Sequence, residues 1–242
     1  MLCGYIEDKD FGRVLIYTRR GMRTFRAKWN KYEQLELTLP PGVSKDRILQ
    51  TLNSHRDGIK ALREKIDSRP PRFHEGQVIP CLEKHLEIRR KASTSHYYDF
   101  GFDTEAMCFY VAVPLQCNIE SSAAERAIIS CLKAVAQRFA YVSIIYLAET
   151  VAKEKGCKVR GFEIGRGLKK LGHCTPDGVI SLSCNLLYYP EELVRYVICH
   201  ELAHLHEMNH SAAFHAECNR LCDGREAELE QKLRAFAKQL PL

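Results

Sequence analysis

Residues 199–210 read CHELAHLHEMNH, and four histidines, His200, His204, His206 and His210, fall within this stretch. An α-helix advances about 100° per residue. His200 and His204 are therefore one turn apart on one face, where both imidazoles can reach a single ion. Glu201 projects from the same helix toward the side where a metal-activated water would sit. H-E-x-x-H on a helix is the pattern of two zinc ligands with a general base. A catalytic zinc usually takes three protein ligands and leaves one position open. His210 completes H-E-x-x-H-x5-H, the ligand spacing of metzincins, with Glu217 or His215 as substitutes for the third position. Metzincins place Gly where this chain has Glu207. The turn is expected at Asn209 instead, since Asn tolerates the left-handed region. His206 points roughly 120° to 160° away from the first pair. It reads, like His215, as an ordinary surface or core residue.

The element that must position these groups is PEELVRYVICHELAHLHEM, starting at Pro190. Proline suits the first helical position, and Glu191 and Glu192 oppose the helix dipole there. Leu193, Val194, Val197, Ile198, Leu202 and Leu205 fall within an arc of roughly 180°. Arg195, Tyr196, Cys199 and His206 fall opposite, with His200 and His204 at one border of the apolar arc and Glu201 inside it. Ser211 is placed to cap the next helix, AAFHAECNRLC.

Elsewhere, RVLIYT (13–18) and 23–40 alternate apolar and polar residues, as half-buried strands do. After Pro40, Pro41 and Gly42, Ser44 is a suitable N-cap for one helix over 45–66, and DSRPPR (67–72) breaks the chain. QVIPCLEKHLEIRR and MCFYVAVP make 73–116 β-rich. From Ser121 the spacing becomes helical, with a second helical stretch near 140–155 ending at Gly156. KVRGFEI (158–164) and GVISLSCNLLYY (178–189) read as strands, the latter a candidate edge strand for an extended peptide. The expected class is α+β: a β-rich part over 1–117 with one helix, and a helical part over 118–242 carrying the histidines.

The chain has 242 residues, 45% hydrophobic and 27% charged, enough to bury a core and typical of a soluble globular protein. No uninterrupted apolar run approaches the roughly 18 residues of a membrane span, so no membrane association is expected. Glu7, Asp8 and Asp10 stand where a signal peptide would be basic and then apolar. Eleven cysteines without a CxxC pair fit reduced thiols in the cytoplasm. Cys218 and Cys222, one turn apart, read as buried thiols before a shared metal site. The net charge of +6 is modest. Its cluster from Arg19 to Lys31 reads mainly as the solvated face of a hairpin, with weak nucleic-acid contact as the rival.

YVICHELAHLHEMNHSAAF (196–214) closely resembles the signature HELxHLxxxNHSxxFW of the YgjP-like family of zinc metallopeptidases. The resemblance extends upstream, where KKLGHCTPDGVISLSCNLLYYPEELVRYV (169–197) is similar to RWGSCsxxGxIxLNxxLxxxPxxxidYV. Lys170 stands for the Arg. Gly172, Cys174, Gly178, Ile180, Leu182, Leu186, Pro190, Tyr196 and Val197 match directly. LPPGVSKDRILQTLNSHRDGIKALREKI resembles the segment after the family's opening strands. The chain departs from the pattern at Leu171, His173, Ser183 and His215, where the family has Trp, Ser, Asn and Trp.

The resemblance implies a zincin-like fold, zinc on His200, His204 and His210, and Glu201 as catalytic acid and base. It also implies kinship with SprT- and WLM-type proteases, some of which act on DNA-bound proteins. The expected substrate is a protein or peptide. Two alternatives stand beside it. One is a metal-dependent hydrolase of a nucleotide phosphoanhydride, with GRGLKK (165–170) holding phosphates. The other is a nucleic-acid-associated protein. His173, Lys170, Tyr188 and Tyr189 are candidates for stabilising an oxyanion.

Overall fold

The computed structural model describes residues 2–30, 34–67, 71–94, 96–165 and 170–240. The chain forms two compact units, one of residues 1–74 with 116–127, the other of residues 75–115 with 128–242.

The first unit contains β1 (Leu2–Asp8), β2 (Gly12–Thr18), β3 (Arg26–Trp29), β4 (Leu35–Leu39), α1 (Lys45–Ser54) and α2 (Arg56–Asp67). Its sheet has the order β1-β2-β4-β3, with β2 and β4 parallel. Period-two alternation turns Val14 and Ile16 of β2, and Leu35, Leu37 and Leu39 of β4, into one core. Ile48 and Leu52 of α1 and Ile59 of α2 join them. The Ser44 side chain accepts the Arg47 N–H as expected of an N-cap, worth about 1 kcal/mol. The single helix expected over 45–66 is instead two, because His55, at φ −114° and ψ 11°, closes α1. The Ser54 hydroxyl and His55 Nδ1 both turn back to the Thr51 carbonyl, at 3.1 and 2.9 Å. Such local bonds compete with helix propagation.

The second unit holds the sheet β5-β6-β8-β7, made of β5 (Val78–Cys81), β6 (Lys84–Lys91), β7 (Asp99–Asp103) and β8 (Cys108–Pro114). A single helix, α3 (Ser122–Glu154), replaces the two expected over 121–155. Cys157 N–H reaches the Ala152 carbonyl at 2.9 Å and Gly156 takes φ +69°, which ends the helix at the expected glycine. By length and composition α3 is apolar enough to cross a membrane, with a window of mean hydropathy 1.5, which a search for uninterrupted apolar runs does not detect. Its buried residues Ile128, Leu132, Val135, Ile144, Ala148 and Val151 recur mainly at steps of three and four, the stripe of a helix with one face in a protein core.

Three further strands make a small mixed sheet of order β10-β11-β9: β9 (Gly161–Gly165), β10 (Gly172–Cys174) and β11 (Val179–Ser183). The expected strand over 178–189 stops at Ser183, whose side chain accepts the Asn185 N–H and starts a 3-10 turn over Cys184–Tyr188. A short buried apolar run does not distinguish strand from helix by periodicity. β11 is also not an edge strand: it pairs with β10 antiparallel and with β9 parallel. The edges of this sheet are β10 and β9.

Helices α4 (Glu191–Ala203), α5 (Ala212–Leu221) and α6 (Glu226–Ala237) complete the unit. Pro190 is the N-cap of α4, one position before its expected place. Tyr196 and Cys199, expected on the polar side of α4, are buried. The cause is tertiary: α4 packs on β10 and β11 and is also covered by α5 and α6, so both of its sides are enclosed. The class is α+β, and a histidine-bearing helix laid on a small mixed sheet and followed by a second helix gives it a zincin-like form.

Candidate metal centre

α4 carries His200 and Glu201 in its last turn and ends with His204 as its C-cap, at φ −64° and ψ −15°. The chain then reverses. The N–H groups of His206 and Glu207 both reach the Ala203 carbonyl at 3.1 Å, and Ser211 N–H reaches the Asn209 carbonyl at 2.7 Å. Asn209 does not take the left-handed conformation expected of it, because this hydrogen-bonded turn closes with negative φ. Ser211 accepts the Phe214 N–H and starts α5, as its position predicts.

This reversal brings the ligand nitrogens of His200, His204 and His210 within 4.8 Å of one another. Nε2 of His210 lies 3.1 Å from Nε2 of His200, a spacing that suits two nitrogens sharing an ion at bonds of about 2.0–2.1 Å. Nδ1 of His204 is 3.0 Å from the Glu207 carbonyl. That contact favours the Nδ1–H tautomer and leaves Nε2 with its lone pair free. Burial and the neighbouring imidazoles hold His200 down to about 4, and burial lowers His204 as well, so both rings are neutral donors at neutral pH. Three imidazoles converging on one point form a donor set that fits a zinc ion.

Phe214, absent from the site expected from sequence, is the floor of this cluster. Its fully buried ring lies 4.9, 4.5 and 4.7 Å, centroid to centroid, from His200, His204 and His210. The sequence carries a signal for it: position 214 is one helical turn beyond His210, on the inward side of α5.

Glu201 is 5% exposed. Burial pushes its carboxyl up to about 7, opposed by the Cys174 N–H and by the charge of Lys170. Such a group is poised to exchange a proton near neutral pH.

The remaining candidates are engaged elsewhere. His206 is 62% exposed and 3.9 Å from Glu217, while Glu217 pairs with Arg220 at 2.7 Å. His215 pairs with Glu226 at 2.8 Å. The Tyr188 hydroxyl donates to the Leu132 carbonyl at 2.6 Å, and buried Tyr189 stacks with Phe236. His173 sits exposed on β10. Cys218 and Cys222 are buried thiols.

A second group, His85, Glu87 and Cys108, also has metal-ligand spacing among the described residues. Arg89 fills that place, reaching Glu87 at 2.8 Å and the Cys108 sulfur at 3.1 Å. Of the basic cluster, Arg26 and Lys28 are exposed on edge strand β3, and Lys28 pairs with Glu36 at 2.8 Å. Lys31 and residues 166–169 of GRGLKK lie outside the described residues.

Comparison with known proteins adds three findings. No curated protein matches the chain. A crystal structure of the metallopeptidase zymogen abylysin from Pyrococcus abyssi is similar at 26% identity, covering 38% of this chain and 93% of its own, with a TM-score of 0.35. The third is a family match over nearly the whole chain: residues 23–236 fit the model described as YgjP-like, metallopeptidase domain, and the chain belongs to that family.

Proposed function

We propose that this chain is a zinc-dependent metallopeptidase that hydrolyses a peptide bond in a protein or peptide substrate, with zinc held by His200, His204 and His210. The observation that carries the reading is the convergence of three imidazoles beside one buried carboxyl, Glu201. A bound zinc supplies Lewis acidity, activating water near neutral pH and polarising a carbonyl. Glu201 takes the proton of the attacking water and later hands it to the leaving amine. His173 on β10 and Lys170 just before it are candidates for stabilising the developing oxyanion. Membership of the metallopeptidase family supports the reaction class. Eleven cysteines, eight of them buried thiols, support a reducing compartment, the cytoplasm.

The test is a set of single substitutions read by metal content and by peptide hydrolysis. Glu201→Gln keeps one zinc per chain and loses on the order of 10²–10⁴ in kcat. His210→Ala loses most of the zinc, and His206→Ala retains it. Full activity in Glu201→Gln overturns the mechanism, and retained zinc in His210→Ala overturns the ligand set.

A further inference from the structure

A side chain at position 172 has no room. A Cβ built on Gly172 would lie 2.6 Å from Cγ and 2.7 Å from Cδ of Glu201, and closer still to Oε1. Real Cβ atoms do not approach neighbours so closely, and these are not the far end of a side chain free to swing into solvent, since Glu201 is buried. Gly172 is not among the residues with positive φ, so backbone conformation does not demand glycine there. Space does. Glycine within a strand weakens it and often marks the close approach of another group.

We propose that β10 is the seat of Glu201: the missing side chain of Gly172 opens the slot that the buried carboxyl occupies where α4 packs on β10. Gly172 is thus a positioning residue for the base, a role that rests on the reading of Glu201 given above.

The test is a stability cycle that requires no turnover. Gly172→Ala is made in three backgrounds: native Glu201, Glu201→Gln, which keeps the side chain's shape, and Glu201→Ala, which removes the three atoms in the slot. Thermal unfolding is followed with metal removed. Gly172→Ala lowers Tm by on the order of 5 °C beside Glu201 and beside Gln, and leaves it unchanged or raises it beside Ala. If Gly172→Ala alone does not fold, recovery of folded protein in Gly172→Ala/Glu201→Ala demonstrates the same clash. An equal change in all three backgrounds, or no change beside Glu201, overturns the seat. In the zinc-loaded enzyme Gly172→Ala keeps its metal and its KM while kcat falls at least on the order of tenfold. A matched loss of zinc or a rise in KM alone overturns the positioning role. If the native protein cleaves no peptide, the peptidase reading fails while the stability cycle still decides the seat.

Discussion

Phe214→Ala separates a ring that merely fills the core from one that organises the metal centre. The side chain is fully buried and touches all three candidate ligands, with ring centroids 4.5 to 4.9 Å apart. Removing a buried Phe costs about 3–5 kcal/mol of stability through lost transfer energy and the cavity left behind. Three imidazoles would also lose the surface that fixes their rotamers. Immobilising each again on metal binding costs about 0.5–1.5 kcal/mol. Together that is about 1.5–4.5 kcal/mol, a weakening of zinc affinity by roughly 10- to 10³-fold. The assay is zinc competition against a chromogenic chelator, beside urea unfolding of the metal-free protein. Phe214→Leu keeps most of the apolar volume and falls between native and Ala on both scales. A Phe214→Ala protein that unfolds more easily yet binds zinc within about twofold of native would refute the argument, because the ring would then stabilise the core without ordering the ligands.

Two other outcomes follow from the packing. The Arg56 guanidinium, 2.8 Å from Asp8, holds that carboxyl at about 2, below its ordinary 3.8. A depressed carboxyl contributes stability that is full above its unfolded value and is lost as pH falls through the folded one. The contribution is about 2 kcal/mol and should vanish between about pH 4 and pH 2. Urea unfolding of Asp8→Asn should therefore differ from native at about pH 7 and converge with it near pH 2; a constant gap would contradict the linkage. Tyr188→Phe removes the bond to the Leu132 carbonyl and should lower stability by about 1–2 kcal/mol with peptide hydrolysis unchanged. A large fall in kcat instead would make Tyr188 part of the chemistry.

Local chemistry was legible in the chain alone. Helix periodicity pairs His200 with His204 and sends His206 outward, and Ser44, Ser211 and Gly156 mark their helix ends, because these are short-range geometric and capping facts. The family was legible too, since its signature is a contiguous string. What depends on neighbours distant in sequence needed the folded molecule. Tyr196 and Cys199 are buried because α5 and α6 cover the side of α4 that hydropathy alone assigns to solvent. β11 is interior to its sheet because β9, parallel to it, takes the other edge. The turn to His210 closes without a left-handed residue because backbone hydrogen bonds to Ala203 suffice. Gly172 and Glu201 lie far apart along the chain, and only the packing of β10 on α4 brings the strand's bare backbone against the carboxyl.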